Sequence, residues 1–231
     1  MLSFNLSQLS DTKEVLMTKD IYYHRNLPHH HLEGYPLFVT FRLFGSLPTE
    51  VLAQLKTQRE LELKALKDEN LTERREVERK HFERYDDWLD RCGFGPRWLQ
   101  FDGIAEIVAK EIHSLSGYRF RLMAYCIMPN HVHLLIESLV RELPNHRGES
   151  AKYPVTDTLR LLKGRTARAC NLELKRTGSF WQHESYDHIV RDDEELEPTI
   201  LYILNNPVKA RLVDEWKNWS FTYVSPELGE W

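Results

Sequence analysis

At 231 residues and 42% hydrophobic content, the chain can bury a core without staples and suits a single domain carrying an elaboration. Cys92, Cys126 and Cys170 are odd in number, widely spaced and without a Cys-x-x-Cys pair. This argues against a disulfide framework or a zinc ribbon and points to a reducing, cytoplasmic setting. The opening residues carry no signal-peptide pattern, and no apolar run is long enough to span a membrane. The net charge of −4 does not advertise nucleic-acid binding, but its distribution is uneven. Residues 184–199 carry a net −6, so the remainder carries +2, and residues 160–176 alone carry +5.

Taken in order, residues 1–20 read as a loosely held arm. His29, His30 and His31 read as loop residues, because consecutive side chains point apart rather than converging on an ion. The β-branched and aromatic run Leu37–Phe44 predicts the first strand. Thr49 is placed to cap a helix starting at Glu50. Residues 56–91 then hold ten Lys/Arg and eleven Asp/Glu. Their mixed signs at helical spacing predict a long solvated helix or helical hairpin, a charged insertion over residues 50–91. The Gly93–Pro96 stretch breaks it.

Ile104, Ile107, Val108 and Ile112 predict an amphipathic helix over 102–116. Residues 118–128 read as a strand, with Phe120, Leu122, Ala124 and Cys126 on one face. Pro129-Asn130 turns it into a second strand, giving an antiparallel hairpin. Thr156 or Asp157 caps a helix running from Thr158 to about Lys175, whose basic side can meet phosphates or simply keep the surface soluble. A last helix runs from Glu194 to about Asn205 and is expected to stop at Pro207.

Two stretches carry chemistry. In Met128-Pro129-Asn130-His131-Val132-His133-Leu134-Leu135-Ile136-Glu137, period-two alternation puts His131 and His133 on one strand face and Val132, Leu134 and Ile136 on the other. An isolated His-x-His is more often core or surface than metal site. In the last helix, Tyr202 and Asn206 stand four residues apart on one face. Together, two imidazole nitrogens and one carboxamide oxygen leave open positions on Mg²⁺ or Mn²⁺, beside a phenol able to attack a polarised phosphate.

In these pieces the sequence resembles the single-tyrosine transposases of the His-hydrophobic-His superfamily, and specifically the REP-associated tyrosine transposases. The resemblance runs from about Tyr22 to Tyr223. It is carried also by Arg25-Asn26-Leu27-Pro28-His29, the first strand, Lys163-Gly164-Arg165-Thr166-Ala167-Arg168, Phe180-Trp181-Gln182 and Asn206-Pro207-Val208-Lys209-Ala210. It implies a ferredoxin-like α+β fold and a single catalytic domain over residues 1–231. The implied activity is cleavage and rejoining of single-stranded DNA beside hairpins through a phosphotyrosine. By motif position, Tyr202 is the nucleophile and His131, His133 and Asn206 are the metal ligands. Tyr186 is the decoy, with Val190 four residues on. Arg165 and Arg168, then Arg25 and Arg42, are the expected DNA contacts. Trp181 and Tyr125 are expected in the core rather than on bases. A homodimer, with the tyrosine serving its own or a neighbour's ion, stays open.

The sequence departs from the pattern at Arg211, where a glycine is expected, and in the length of the charged insertion; neither is expected to touch metal or nucleophile. Three rival readings remain. A histidine-triad hydrolase would need a histidine where Leu135 stands. A non-cleaving DNA-binding regulator could share the fold. A helical adaptor could be built on residues 50–91.

Overall fold

The structure is a computed structural model that describes residues 20–24, 28–32, 34–66, 71–139 and 154–231. Most of residues 1–20, Arg25 and residues 140–153 lie outside them. The sheet strands are β3 (Pro36–Arg42), β4 (Phe120–Ile127), β5 (His131–Ser138), β6 (Tyr186–Ile189) and β7 (Thr222–Val224). They pair antiparallel in the order β6-β3-β5-β4-β7. The helices are α1 (Thr49–Ala65), α2 (Leu71–Asp90), α3 (Asp102–Leu115), α4 (Pro154–Glu173) and α5 (Asp193–Lys209). Setting aside β7, the α1–α2 insertion and the trailing α5 leaves β-α-β-β-α-β with the last strand beside the first, which is the expected ferredoxin-like α+β arrangement.

Each face of the sheet has its own core. Leu37, Val39 and Phe41 of β3 and Val132, Leu134 and Ile136 of β5 pack with Ile104, Val108 and Ile112 of α3 and Leu159 and Leu162 of α4. Phe38 and Leu135 face the other way, onto Leu196, Ile200, Ile203 and Leu204 of α5 and Phe82 of α2. Burying each such side chain is worth roughly 1.5–3 kcal/mol over leaving it exposed. Trp181 and Tyr125 are core residues, as expected. The indole Nε1–H of Trp181 donates to Thr166 Oγ1 at 2.8 Å.

Several sequence expectations are corrected. Residues 28–32, read as loop, form β2 (Pro28–Leu32), paired with β1 (Asp20–His24) in a separate two-stranded ribbon. The alternation expected along β4 breaks at Met123, where the register to β5 shifts. The extra residue flips the faces, so Phe120 and Leu122 share a core with Tyr125 and Ile127, while Ala124 and Cys126 face α5. Helix α1 starts at Thr49 after Pro48, with no side-chain cap. Helix α4 begins at Pro154, so Thr156 and Asp157 lie inside its first turn rather than capping it.

Helix α5 does not stop at Pro207 but runs to Lys209. Pro207 has no N–H to offer the Ile203 carbonyl, yet its fixed φ suits a helix and the next turn closes regardless. Leu212 N–H reaches Pro207 O at 2.9 Å and Arg211 N–H reaches Val208 O at 2.9 Å. This pair of bonds is a Schellman close, and Arg211 sits in its left-handed position at φ +57°. The glycine expected there has a physical reason, which the arginine overrides.

Candidate active site

His131 and His133 leave β5 toward α5 and α2, and both are fully buried. Thr40 lies directly opposite His133 on β3, and its hydroxyl is 2.8 Å from His133 Nδ1. Asn130, in the turn before β5, accepts from His131 Nδ1 at 2.7 Å, so that nitrogen carries the proton and Nε2 keeps its lone pair. The two Nε2 atoms are 2.9 Å apart. Phe38 stacks on His133 with ring centroids 5.5 Å apart, fixing the ring plane.

Helix α5 brings up the second half. Asn206 is fully buried, with Nδ2 3.0 Å from His133 Nε2. Its Oδ1 has no hydrogen-bond partner. Amide rotation about the last torsion exchanges the two atoms, so the same side chain can present oxygen to the imidazoles. One turn earlier, Tyr202 packs its ring edge-on to His133 at 5.6 Å and against Phe38 at 5.9 Å. The tyrosine, the amide and both imidazoles thus meet within one chain. Tyr186, the decoy, instead stacks on Phe82 at 4.3 Å, and burial pushes its phenol up.

The charged insertion is not decoration. Tyr202 Oη donates to Asp86 Oδ2 of α2. Asp86 Oδ1 lies 3.4 Å from His133 Nε2, and Asp90 Oδ1 lies 3.8 Å from His131 Nε2. Lys209, on the extra turn of α5, sits 3.0 Å from Asp90 and 2.8 Å from Asp87. The expectation that residues 56–91 stay clear of metal and nucleophile is therefore overturned. Asp86 and Asp90 are four apart on one helical face, and Phe82 and Leu89 on the same helix are buried. That apolar pair inside a charged run was the signal available in the sequence.

The electrostatics follow from burial. Desolvation, then the Asp90 charge, raises Asp86 well above the usual carboxylate range against the pull of Lys209 and an Asn206 amide hydrogen. Burial lifts Asp90 to about 6, again against Lys209. Burial, with Lys209 nearby, lowers His131 to about 3, and His133 falls well below its usual value. Both imidazoles are neutral at physiological pH, the form that binds metal. Asp86 Oδ1, Asp90 Oδ1 and Asn206 Oδ1 are buried without hydrogen-bond partners. Buried polar atoms in proteins are nearly always satisfied, so orphans converging on two facing imidazole nitrogens fit a divalent cation.

The expected DNA contacts fare differently. Arg165 and Arg168 are exposed on α4, with Arg165 paired to Glu111 at 3.1 Å. Arg42 is 3% exposed. Its Nε donates to Tyr85 Oη at 2.7 Å and one terminal nitrogen to Ser46 Oγ at 3.2 Å. Its head is spent inside the protein, which corrects its reading as a surface phosphate contact. Arg25 lies outside the described residues.

Comparison with known proteins gives a profile match to the family described as Transposase IS200 like over residues 101–206, a span that includes the histidine strand, Tyr202 and Asn206. A Haemophilus influenzae protein named as a REP-associated tyrosine transposase is 32% identical over 121 residues, covering 52% of this chain and 68% of that protein. The chain belongs to the REP-associated tyrosine transposases. A solved structure of a REP-associated tyrosine transposase bound to a REP hairpin matches 87% of this chain and 82% of that one, at 16% identity and a TM-score of 0.45. In this transposase the α1–α2 hairpin, with the two carboxylates it carries into the site, lies outside the 101–206 span that the family profile matches. Among the described residues, no helix is long and apolar enough to cross a membrane.

Proposed function

We propose that this chain is a metal-dependent single-stranded DNA transesterase that cleaves and rejoins strands beside DNA hairpins through a covalent link to Tyr202. The observation that carries the reading is the meeting of the Tyr202 phenol with the paired imidazoles in one chain, 5.6 Å between ring centroids. Mg²⁺ or Mn²⁺ held by His131, His133 and Asn206 would act as a Lewis acid on the scissile phosphate.

The residues themselves do the rest. Asp86 holds the phenol hydrogen and so orients Oη. Phe38 and Phe82 fix the tyrosine ring between them. Thr40 and Asn130 hold the imidazole planes through their Nδ1 atoms. In the cleavage step an Oη–P bond forms and the bond from phosphorus to the departing oxygen breaks. The phenol loses a proton and the departing oxygen gains one. Attack by a free hydroxyl on the phosphotyrosine reverses these changes, which is how a second strand is joined. The exposed basic side of α4, with Arg168 and Arg165, is the surface offered to the strand.

The test is covalent capture on hairpin-bearing single-stranded DNA with Mn²⁺. Wild-type protein should give a denaturant-stable protein–DNA adduct, and Tyr202→Phe should give none while still binding the DNA. An adduct formed by Tyr202→Phe overturns the nucleophile. Tight DNA binding by the wild type with no adduct under any divalent ion would favour a non-cleaving regulator on the same fold.

A further inference from the structure

We propose that the inserted hairpin is a working part of the metal centre: Asp86 and Asp90 of α2 join His131 and His133 as ligands of one divalent cation. The inference rests on the metal-dependent reading above and extends its ligand set to an element outside the fold's β-α-β-β-α-β core.

Geometry is the first support. One donor atom from each of the four side chains lies within 4.8 Å of every other, and all four residues are withdrawn from solvent. The second support is independent of that clustering. Asp86 Oδ1, Asp90 Oδ1 and Asn206 Oδ1 are buried and lack hydrogen-bond partners, with Asp86 and Asn206 fully buried. Charge is the third. Asp86, Asp87 and Asp90 gather around the single ammonium of Lys209, which already divides itself between Asp87 at 2.8 Å and Asp90 at 3.0 Å. The withdrawn pair, Asp86 and Asp90, thus has only a share of one ammonium, because the exposed Asp87 takes the rest, and a dication supplies the missing positive charge. Finally, α2 is seated rather than dangling. Asn130 Nδ2 donates to Leu89 O at 3.1 Å and its Oδ1 accepts from His131. One side chain thereby locks the last turn of the insertion to a metal-facing imidazole.

The donor set selects the ion. Two imidazoles suit borderline transition metals and two carboxylates suit harder ions, so Mn²⁺ should bind ahead of Mg²⁺. The protein also supplies enough donors to hold the ion before any DNA phosphate arrives. A set of two histidines and one amide would depend more on the substrate's oxygens.

The experiment uses the full chain without DNA and Mn²⁺ alone, following loss of the free-ion electron paramagnetic resonance signal. Wild type should bind one Mn²⁺. Removing hydrogen-bond partners behind metal ligands costs about 10–100-fold in affinity, so removing a ligand should cost at least about ten-fold. Asp86→Asn and Asp90→Asn should each weaken binding by that much, and Asp87→Asn should bind like wild type. Wild-type affinity in both Asp86→Asn and Asp90→Asn overturns the proposal. Where Asp86→Asn does not fold, Asp90→Asn decides, because asparagine keeps the shape and can still meet the helix-end groups. The two readings separate cleanly. Carboxylate-dependent Mn²⁺ binding without any adduct on hairpin DNA would keep this inference and remove the transesterase. An adduct formed by proteins whose Mn²⁺ affinity ignores both aspartates would do the reverse.

Discussion

Arg42→Met separates the two roles its position suggests. Methionine keeps most of the apolar stem and removes the guanidinium, so the loss is polar. Arg42 gives a charged hydrogen bond to Tyr85 on α2 at 2.7 Å and a longer one to Ser46 at 3.2 Å. A hydrogen bond from a charged group is worth about 1.5–3 kcal/mol, and the Tyr85 hydroxyl left behind has burial already pushing its phenol up. In a domain of this size 1 kcal/mol moves Tm by about 2–4 °C, so the variant should melt roughly 3–12 °C below wild type. A phosphate contact would behave otherwise. Deleting one flattens the plot of log affinity against log salt by about 0.7–0.9. The assay is thermal unfolding together with hairpin-DNA anisotropy at several salt concentrations. The expected result is a lower Tm with an unchanged salt slope. An unchanged Tm with a flattened slope would refute the placement of this guanidinium inside the fold.

Three further predictions follow from side chains away from the metal-facing groups. Arg168→Ala should weaken hairpin-DNA binding and flatten the salt slope by about 0.7–0.9, and Arg165→Ala should do less because Glu111 already holds Arg165 at 3.1 Å; equal slopes for all three proteins would remove α4 from the interface. Burial, then the Arg42 charge, lowers Lys163 to about 8 while it donates to His183 O at 2.9 Å. The unfolded lysine titrates near about 10.4, so unfolding takes up a proton between those values. Stability relative to Lys163→Met should therefore rise from about pH 8 to about pH 10, and a flat difference across that range in denaturant titrations counts against the burial. Arg211→Gly relieves a left-handed arginine at φ +57° and should raise stability by about 0.5–1 kcal/mol, read as a higher denaturant midpoint at constant m; a drop would mean that the arginine makes contacts worth more than the strain.

Some of this was legible from local pattern. The alternation in His131–Ile136 is a property of any strand, and Tyr202 with Asn206 of any helix, so both faces could be read before their partners were known. The order β-α-β-β-α followed from the same periodicities, whereas the closing strand β6 and the ferredoxin-like arrangement came only with the family resemblance. What failed was anything decided by a neighbour. The face of Ala124 and Cys126 depends on one extra residue at Met123, which only pairing with β5 reveals. The length of α5 depends on backbone bonds that close around Pro207 and Arg211, where the proline alone argued for a stop. Arg42 lies at the end of a strand that is apolar but for Thr40, and nothing in that strand says whether its head turns out to solvent or in to Tyr85.

The insertion is the sharper case. In sequence, residues 56–91 have the composition of a solvated helix, and for much of their surface that is correct: Glu76, Arg79 and Glu83 pair along an exposed face of α2. The same helix pairs its half-buried Glu78 with the buried Arg59 of α1 on one side and turns Phe82, Asp86, Leu89 and Asp90 toward the sheet on another. Charge composition cannot distinguish an aspartate that faces water from one that faces two imidazoles, because both keep helical spacing. The distinction comes from topology. The insertion leaves the end of β3 and returns to α3, and the last turn of α2 reaches the turn that opens β5, where Asn130 joins Leu89 to His131. An acidic pair four residues apart becomes chemistry only because that turn is the one carrying the histidines. The segment that looked most dispensable on composition thus supplies both carboxylates that face the imidazoles.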